Sequence, residues 1–471
     1  MLAASFKRTK IVATIGPASS SPKVLEELMV AGVNMFRLNF AHGTHEQHGE
    51  VIKAARHLSA KHNKPVAVLA DIQGPKIRVG KLPQDGLPFV RGNVVRFEYG
   101  ADFDTSGIIP VQHDVSKYLK KGERVFLRDG QVQIEVEKIE KSLITGKVLA
   151  PGLVYSNQGM NLPDTDLGGE ILTPKDIADI AYAASQGVDY IGYSFVQTAG
   201  DIINLRDRLK TLKSDSKIIA KIETAAAVEN LEEIVIATDV IMVARGDLAI
   251  ETNPESVPSA QRRMIELGKQ HCKPVIVATQ MLESMIQSAQ PTRAEVADVA
   301  TAVIEGTDAV MLSGETAMGL FPVEAVKMMK RVILYAEKEE REIVTHQHKP
   351  DAGQERVNAV SAAAAVLARE LPAKVIIAET SSGQTARNIS AQRPGVPVII
   401  VTDHERVYYQ MAIVWGGKSY LAKDMKGASD EVMQQLKTAG NVHKGDAAVI
   451  VSGNQPGLIG GTNRVEIKVI S

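Results

Sequence analysis

The chain of 471 residues holds a single cysteine, Cys272, which excludes a disulfide framework and points to a reducing cytoplasm. Cys272 closes a helical pattern with no basic neighbourhood to activate its thiol, so it reads as a packing residue. Aromatics make up only 4% of the chain against 44% hydrophobic residues, leaving Ala, Val, Ile and Leu to fill the cores. Neither charge sign is in excess: the formal net charge is -1. That removes the electrostatic footprint of a nucleic-acid binder or of a protein drawn to anionic membranes. No apolar run approaches the roughly 20 residues that span a bilayer. The opening "MLAASFKRTKIVATIG" lacks the apolar core and cleavage site of a signal peptide. The length itself is a prior for about three domains.

What is present is a recurring unit. Apolar runs of strand length stand at 10–16, 33–40, 65–71, 190–195, 217–223, 240–247, 274–280 and 309–315. Amphipathic helical patterns separate most of them, at 22–31, 44–62, 173–187, 200–213, 225–237, 258–272 and 291–306, and a last one starts at Pro322. Pro22, Pro174, Pro258, Pro291 and Pro322 sit at helix starts, where a missing N–H costs nothing, and Gly32, Gly187 and Gly306 close others. Eight strand-then-helix units imply a closed (β/α)8 TIM barrel, because parallel strands need helical crossovers and eight of them close. A doubly wound open sheet is the competing architecture; unbroken alternation over eight units argues against it.

One connection is different. Between the third and fourth strands, 75–165 loses helical periodicity and alternates in short stretches such as "NVVRFEYG" and "VQIEVEKIE". That implies an inserted β-rich, barrel-like domain. The catalytic barrel is then 1–74 and 166–338, together close to the roughly 250 residues usual for the fold. After a charged stretch, 339–471 reads as a separate α/β domain. Its expected elements are helices near 356–371, 384–392 and 404–413 and strands at "KVIIAET", "PVIIVTD", "AAVIVSG" and "RVEIKVI".

Active sites of such barrels lie at the C-terminal strand ends, and here those ends are polar. They carry Arg37 and Asn39, then Asp71, then Ser194, then Lys221 and Glu223, on strands two to five. Arg245 and Asp247, Thr279 and Gln280, and Ser313 and Glu315 follow on strands six to eight. A strand end meeting solvent explains any one of these, but not all of them together. Because strand side chains alternate, Lys221/Glu223, Arg245/Asp247 and Arg37/Asn39 are each expected to share a face. Glu223 and Asp247 offer hard oxygen ligands that leave most of an octahedral shell to substrate and water, the way Mg2+ is commonly held. Lys221 beside them calls for an anionic neighbour such as a phosphoryl group. Gly246 in "ARGDLA" reads as a turn whose bare N–H groups grip a carboxylate. These parts suit phosphoryl transfer. The stretch "AVLADIQGPKIR" leaves a question open: whether Asp71 meets a metal ion, a substrate or Lys76.

The segments "TKIVATIGP", "FRLNFAHG", "DIQGPKIR", "IAKIE", "MVARGDLAIE", "ATQMLESM", "PTRAEVADVATAV" and "GTDAVMLSGETAMG" resemble those of the pyruvate kinase family, and the likeness runs over essentially the whole chain. The resemblance implies that phosphoenolpyruvate and ADP give pyruvate and ATP in glycolysis, with Mg2+ as cofactor and Mn2+ able to substitute. It implies a cytoplasmic homotetramer open to allosteric control by a phosphorylated effector. Carried over motif by motif, Arg37 binds the transferring phosphoryl group, Lys221 stabilises its transition state, and Glu223 and Asp247 hold Mg2+. Arg245 and Gly246 fix the substrate carboxylate, while Thr279 contacts substrate and joins Ser313 in protonation. Asn39 and Arg78 sit by the nucleotide phosphates, with a second Mg2+ arriving on ADP. The insert is a lid that excludes water.

Some positions depart from the family pattern. Potassium-dependent members use Asn, Ser and Asp ligands and a glutamate after the Gly-Pro turn. Here Asn39 and Asp71 remain, Ala41 replaces the serine, and Lys76 replaces the glutamate. The lysine ammonium is expected to take the monovalent cation's place, so activity needs no added K+. The alternative has Lys76 in solvent and K+ bound by the remaining ligands. Gln158 stands where many relatives have a lysine near the nucleotide, and Ala249 replaces a usual glycine without a physical account.

The string His42, His45, His48 lacks the i, i+4 spacing of a helical metal site, so a capping or solvent-facing role is expected. Met281 and Met285 read as core. In "ETSSGQTA", Ser382, Gly383 and Thr385 open a helix after a strand. Two readings stand there: a phosphate cradle for an effector, as in the family's matching loop, or an ordinary capped helix start. Two other functions compete. A Mg2+-dependent aldolase or lyase acting through a pyruvate enolate needs no ADP and leaves Lys221 and the lid unexplained. A non-catalytic phosphometabolite-binding protein would be favoured by loss of Lys221, Glu223 or Asp247, and all three are present.

Overall fold

Buried, β-branched runs make the strands at the centre of the molecule. Lys10–Ile15, Met35–Asn39, Ala67–Asp71, Tyr190–Tyr193, Lys217–Ile222, Val240–Ala244, Val275–Ala278 and Ala309–Leu312 form barrel strands one to eight. The computed structural model describes residues 6–75, 77–128, 130–165, 172–339, 348–349, 355–453 and 461–471. All eight strands pair in parallel with their chain neighbours, and strand one closes the barrel on strand eight, Lys10 opposite Ala309. Their runs are almost continuously apolar because both faces are covered. One face packs on the helices. The other fills the barrel with Val12, Met35, Leu69, Ile219, Met242, Ile276 and Met311.

The helices start where the sequence supplies caps. Ser21 accepts from the Val24 N–H ahead of Pro22. Thr44 with Gln47, Thr173 with Asp176 and Thr292 with Glu295 form reciprocal capping boxes. Gly32, at φ 137, closes the helix Pro22–Ala31. The pattern read as one helix over 225–237 is two, Ala225–Glu229 and Leu231–Ala237, meeting at Asn230.

The strand ends differ from the sequence reading in a way that matters for the site. Runs read as strands to 247, 280 and 315 stop at Ala244, Ala278 and Leu312. Pairing of strands six and seven ends at Ala244 opposite Ala278. Beyond the last rung the backbone must meet its hydrogen bonds locally. The chain therefore turns into the short helices Arg245–Glu251 and Gly314–Ala317 and into a left-handed turn at Thr279 and Gln280, φ 67 and 53. Arg245 and Asp247 accordingly do not share a strand face, and "ARGDLA" is a helix start rather than an open turn.

Between strands three and four the chain builds a six-stranded sheet and a separate two-stranded one around Phe97, Leu127, Ile134 and Val148. The last region is a five-stranded sheet in the order Gly417–Leu421, Val398–Thr402, Val375–Glu379, Ala447–Gly453, Thr462–Val469, with only the final strand antiparallel. Two of its elements escaped the sequence reading. Gly417–Leu421 is a short edge strand with polar, part-exposed positions. Helix Ala428–Thr438 is preceded by Gly427 at φ 76, with none of the usual polar N-caps. Ala412 and Ile413 of this region join the barrel's interior cluster at the end opposite the polar rim. Among the described residues no helix is long and apolar enough to cross a membrane.

Candidate active site

The rim is organised around one ammonium group. Lys221, near the end of strand five, puts Nζ 2.9 Å from Glu223 Oε1, 3.3 Å from Asp71 Oδ1 and 2.7 Å from Ser194 Oγ. Strand three delivers Asp71 at its last residue, opposite Asn39 of strand two and Gly192 of strand four. On its other oxygen Asp71 accepts from Arg37 Nε at 2.6 Å, and Arg37 Nη1 donates to Thr14 Oγ1 at 3.0 Å. Glu223 lies just past strand five and takes the Phe195 N–H on Oε2 at 2.8 Å. Asp71 and Glu223 are each 1% exposed. Ions buried this deeply persist only when paired and hydrogen-bonded.

The electrostatics follow from that packing. Burial works against the Lys221 ammonium, but the Asp71 and Glu223 anions outweigh it and raise its pKa above the ordinary lysine value. Burial likewise works to raise Asp71, yet Lys221 and Arg37 hold its carboxyl below the usual range. Glu223 goes the other way. Burial, helped by Asp247, pushes it up to about 6 despite Lys221. A carboxyl left partly frustrated beside a second one is a site that gains from a divalent cation. Asp71 Oδ1 is also buried with no partner in hydrogen-bond geometry among the described residues.

Strands six and seven make the second half of the rim. Thr279 holds a left-handed backbone that a β-branched residue rarely adopts, at a cost of roughly 1–3 kcal/mol. Arg245 clamps it: Nε donates to the Ala278 carbonyl at 3.1 Å, Nη2 to the Thr279 carbonyl at 2.6 Å, and Nη1 to Asp298 Oδ1 at 2.7 Å. The Gly246 N–H donates to Thr279 Oγ1 at 2.9 Å, and that hydroxyl donates to the Ala278 carbonyl at 2.6 Å. So the Arg245 guanidinium braces the turn. Asp247 and the backbone around Gly246 are the groups here that this bracing leaves facing a ligand. At strand eight the Ser313 N–H donates to Glu315 Oε2 at 2.7 Å, and Glu315 Oε1 accepts from Leu282, which ties that carboxylate to backbone.

The remaining candidates lie further out. Asn39 Oδ1 accepts from the Ala41 N–H at 3.1 Å. Arg78, on the insert, donates to the Asn157 carbonyl at 2.9 Å, and Gln158 accepts from the Tyr155 N–H. Lys76 lies outside the described residues. His45 stacks on Tyr182 and meets Asp179 at 2.8 Å, and His48 stacks on Phe40. Met281 and Met285 are fully buried core, and Cys272 is buried too. In the last domain Gly383, at φ 81, begins helix Gln384–Ala391 and donates its N–H to Thr380 Oγ1. Ser382 Oγ accepts from the Gln384 N–H at 3.4 Å, while Thr385 Oγ1 is occupied by Thr462 Oγ1 at 2.6 Å.

Sequence reasoning missed Glu251 and Asn161. Glu251 is one helical turn beyond Asp247 on Arg245–Glu251 and receives the Asn161 side-chain amide of the insert at 2.8 Å. Burial pushes its carboxyl up to about 7 against that hydrogen bond, with Asp247, Glu223 and Asp164 adding to the rise. The i, i+4 spacing in "DLAIE" was the available signal, hidden by reading the segment as a turn.

A (β/α)8 barrel whose rim gathers Arg37, Lys221 and Arg245 with a group of carboxylates beside an inserted sheet domain has the form of a barrel enzyme acting on an anionic substrate. Models of two domain families match the chain: the pyruvate kinase barrel domain over residues 6–326 and the pyruvate kinase alpha/beta domain over 358–468. A pyruvate kinase of Agrobacterium vitis is 40% identical over 474 residues, covering 99% of each chain. One of Mycobacterium tuberculosis is 36% identical with 98% of each chain covered. The crystal structure of a pyruvate kinase from Cryptosporidium parvum matches with a TM-score of 0.89 at 33% identity, covering 98% of this chain and 96% of that one. The chain belongs to the pyruvate kinase family.

Proposed function

We propose that this rim carries out the family's reaction: the phosphoryl group of phosphoenolpyruvate passes to ADP, the enol P–O bond breaking as the new one forms, and the enolate left behind takes a proton to become pyruvate. The observation that carries this reading is Lys221, an ammonium fixed between Asp71 and Glu223 with Arg37 alongside. The two carboxylates favour its charged form, so it meets negative charge on the phosphoryl oxygens without reorganising. Arg37 binds the same group. The helix start at Gly246 and the hydroxyl of Thr279 orient the substrate carboxylate by giving up the hydrogen bond they make to each other, and Thr279 with Ser313 serves protonation. Glu223 and Asp247 would hold Mg2+ (or Mn2+), which when bound supplies neutralising charge to the substrate oxygens. Asn39 and Arg78 serve the nucleotide, and the insert over 75–165 closes as a lid to exclude water.

Pyruvate formation from phosphoenolpyruvate is expected only with ADP and Mg2+ both present. Release of pyruvate without ADP would turn the assignment towards an enolate lyase, and no turnover towards a binding protein. The buried Asp71 carboxylate, already facing Lys221 and Arg37, is the proposed anion for a monovalent cation, or for the ammonium of Lys76 standing for one, at the end of strand three. With Ala41 in place of a hydroxyl ligand, equal rates are expected in potassium and tetramethylammonium salts. A large potassium requirement refutes the lysine substitution.

The Ser382–Gly383–Thr385 loop is the proposed effector site, with Thr385 contributing its backbone rather than its engaged hydroxyl. Calorimetry with sugar phosphates and AMP on wild type and Ser382→Asp tests it. A cytoplasmic homotetramer fits the exposed Met318, Leu320 and Tyr335 and the exposed Ile467 and Val469 of the edge strand Thr462–Val469.

A further inference from the structure

We propose that a cavity behind the lid hinge is a binding site for a small organic cation, an ammonium or guanidinium on a flat apolar body, and that its occupancy biases the lid. The cavity measures about 880 Å3, within the range that encloses a drug-sized ligand. Arg37, Asp71, Lys221, Asp247 and Thr279 are all absent from its walls, while Phe195, Thr224 and Glu251 are present, so it adjoins the rim from behind without containing the central ion pairs. Both passages of the chain between barrel and insert border it, at Pro75 and at Leu162–Thr165. Facing walls come from the insert, with Tyr99 and Tyr118, and from the barrel loops after strands four and five, with Phe195 and Ala226. Any rotation of the insert about those two passages must reshape it.

The chemistry of the walls selects a cation. Asp114, Asp164, Asp201, Glu229 and Glu251 outnumber Lys117 and His113. Arg124 neutralises Asp164, whereas Asp201 accepts from the Gln197 and Thr198 N–H groups and Asp114 from Ser116, neutral donors that leave both charged. Asp114, Asp201 and Glu229 then exceed the Lys117 ammonium, and Glu251, its carboxyl pushed up to about 7, adds a partial charge. Tyr118 carries the Lys117 ammonium over one ring face at 4.7 Å, and Tyr99 and Phe195 supply further aromatic surface to the walls. The cavity also touches the catalytic centre through its own walls. The Phe195 N–H holds Glu223, Thr224 follows it in the chain, and Glu251 grips Asn161 of the insert. The effect on turnover rests on the lid reading given above; binding rests on the cavity alone.

Calorimetry on the full chain would compare tryptamine with tryptophol, the same indole body with and without the charge. Tryptamine is expected to bind at least roughly tenfold tighter. That preference should shrink in Glu229→Gln, an exposed change, and both affinities should fall in Ala226→Trp, which narrows the space. Equal affinity for the two probes, no binding of either, or a tryptamine affinity unchanged in both Glu229→Gln and Ala226→Trp overturns the site. With tryptamine saturating, the KM for phosphoenolpyruvate or ADP should move by about twofold or more. Selective binding that leaves both constants unmoved overturns the coupling to the lid while the site stands.

Discussion

The barrel buries lysines at both ends and treats them in opposite ways. At the rim, Lys221 faces two carboxylates and its proton is held more tightly than in water. At the base, Lys7 donates to the Thr9 carbonyl and Asn34 Oδ1, Lys10 to the Gly417 carbonyl, and Lys64 to the Met29 carbonyl. All of these acceptors are neutral. Among the described residues the anion near Lys7 and Lys10 is Glu337, and it is taken up by the N–H groups of Arg8 and Thr9. Desolvation therefore wins there. Lys10 and Lys64 are each pushed down to about 8, and Lys7 falls well below the ordinary value. Burial is common to both ends, so the placement of carboxylates decides which ammonium is available to meet a phosphoryl group and which serves as a structural donor.

The largest effect is expected where that arrangement is removed outright. Lys221→Met should lower kcat by at least roughly 100- to 1,000-fold, the scale of one lost donor to developing charge, with KM moving far less. Steady-state kinetics at saturating substrates checks this, and turnover within a few-fold of wild type would mean the ammonium has no part in the reaction. Asp71→Asn comes next. It leaves Lys221 and Arg37 facing a neutral group in a buried site, so stability should fall by about 3 kcal/mol and turnover with it. A thermal or urea transition identical to wild type would show that Asp71 is not what pins the two cations, and would erase the contrast with the base.

The contrast also shows what a linear sequence reveals. The eight barrel strands were legible because parallel strands covered on both faces must be written as continuous apolar runs, Lys10–Ile15 and Val240–Ala244 among them. The polar rim was legible as composition: Lys221, Glu223 and Asp71 stand out at the ends of such runs. Their orientation was less so. The point where pairing stops between Ala244 and Ala278 depends on a neighbour far away in the chain, so Arg245 and Asp247 looked like one strand face when they open a helix. Glu251 was lost with the same misreading. Edge strand Gly417–Leu421, half exposed and polar, had no apolar run to announce it. The buried lysines of the base were invisible, since nothing in "FKRTKIVATIG" says that Lys7 and Lys10 end among neutral carbonyls.

The smallest effect probes that base directly through pH. Lys10 binds its proton less tightly folded, near 8, than unfolded, where an ordinary lysine value near 10.5 applies. Between those values the unfolded chain carries more protons than the native one, so stability rises with pH across that window. Below it both forms are protonated and the folded protein bears the full penalty of a buried, unpaired charge. Lys64 adds a term of the same sign. Replacing Lys10 by Met removes its share of the slope and leaves the Gly417 carbonyl without its donor, which costs about 1–3 kcal/mol at every pH. The variant should therefore fall further behind wild type as pH climbs from 8 to 10.5, by a few kcal/mol at most. The difference in unfolding midpoint, followed by circular dichroism over that range, reads it out. A gap that stays constant with pH would mean that Lys10 keeps an ordinary proton affinity in the fold. The two ends of the barrel would then differ only in which acceptors their lysines meet, and not in how firmly those lysines hold their charge.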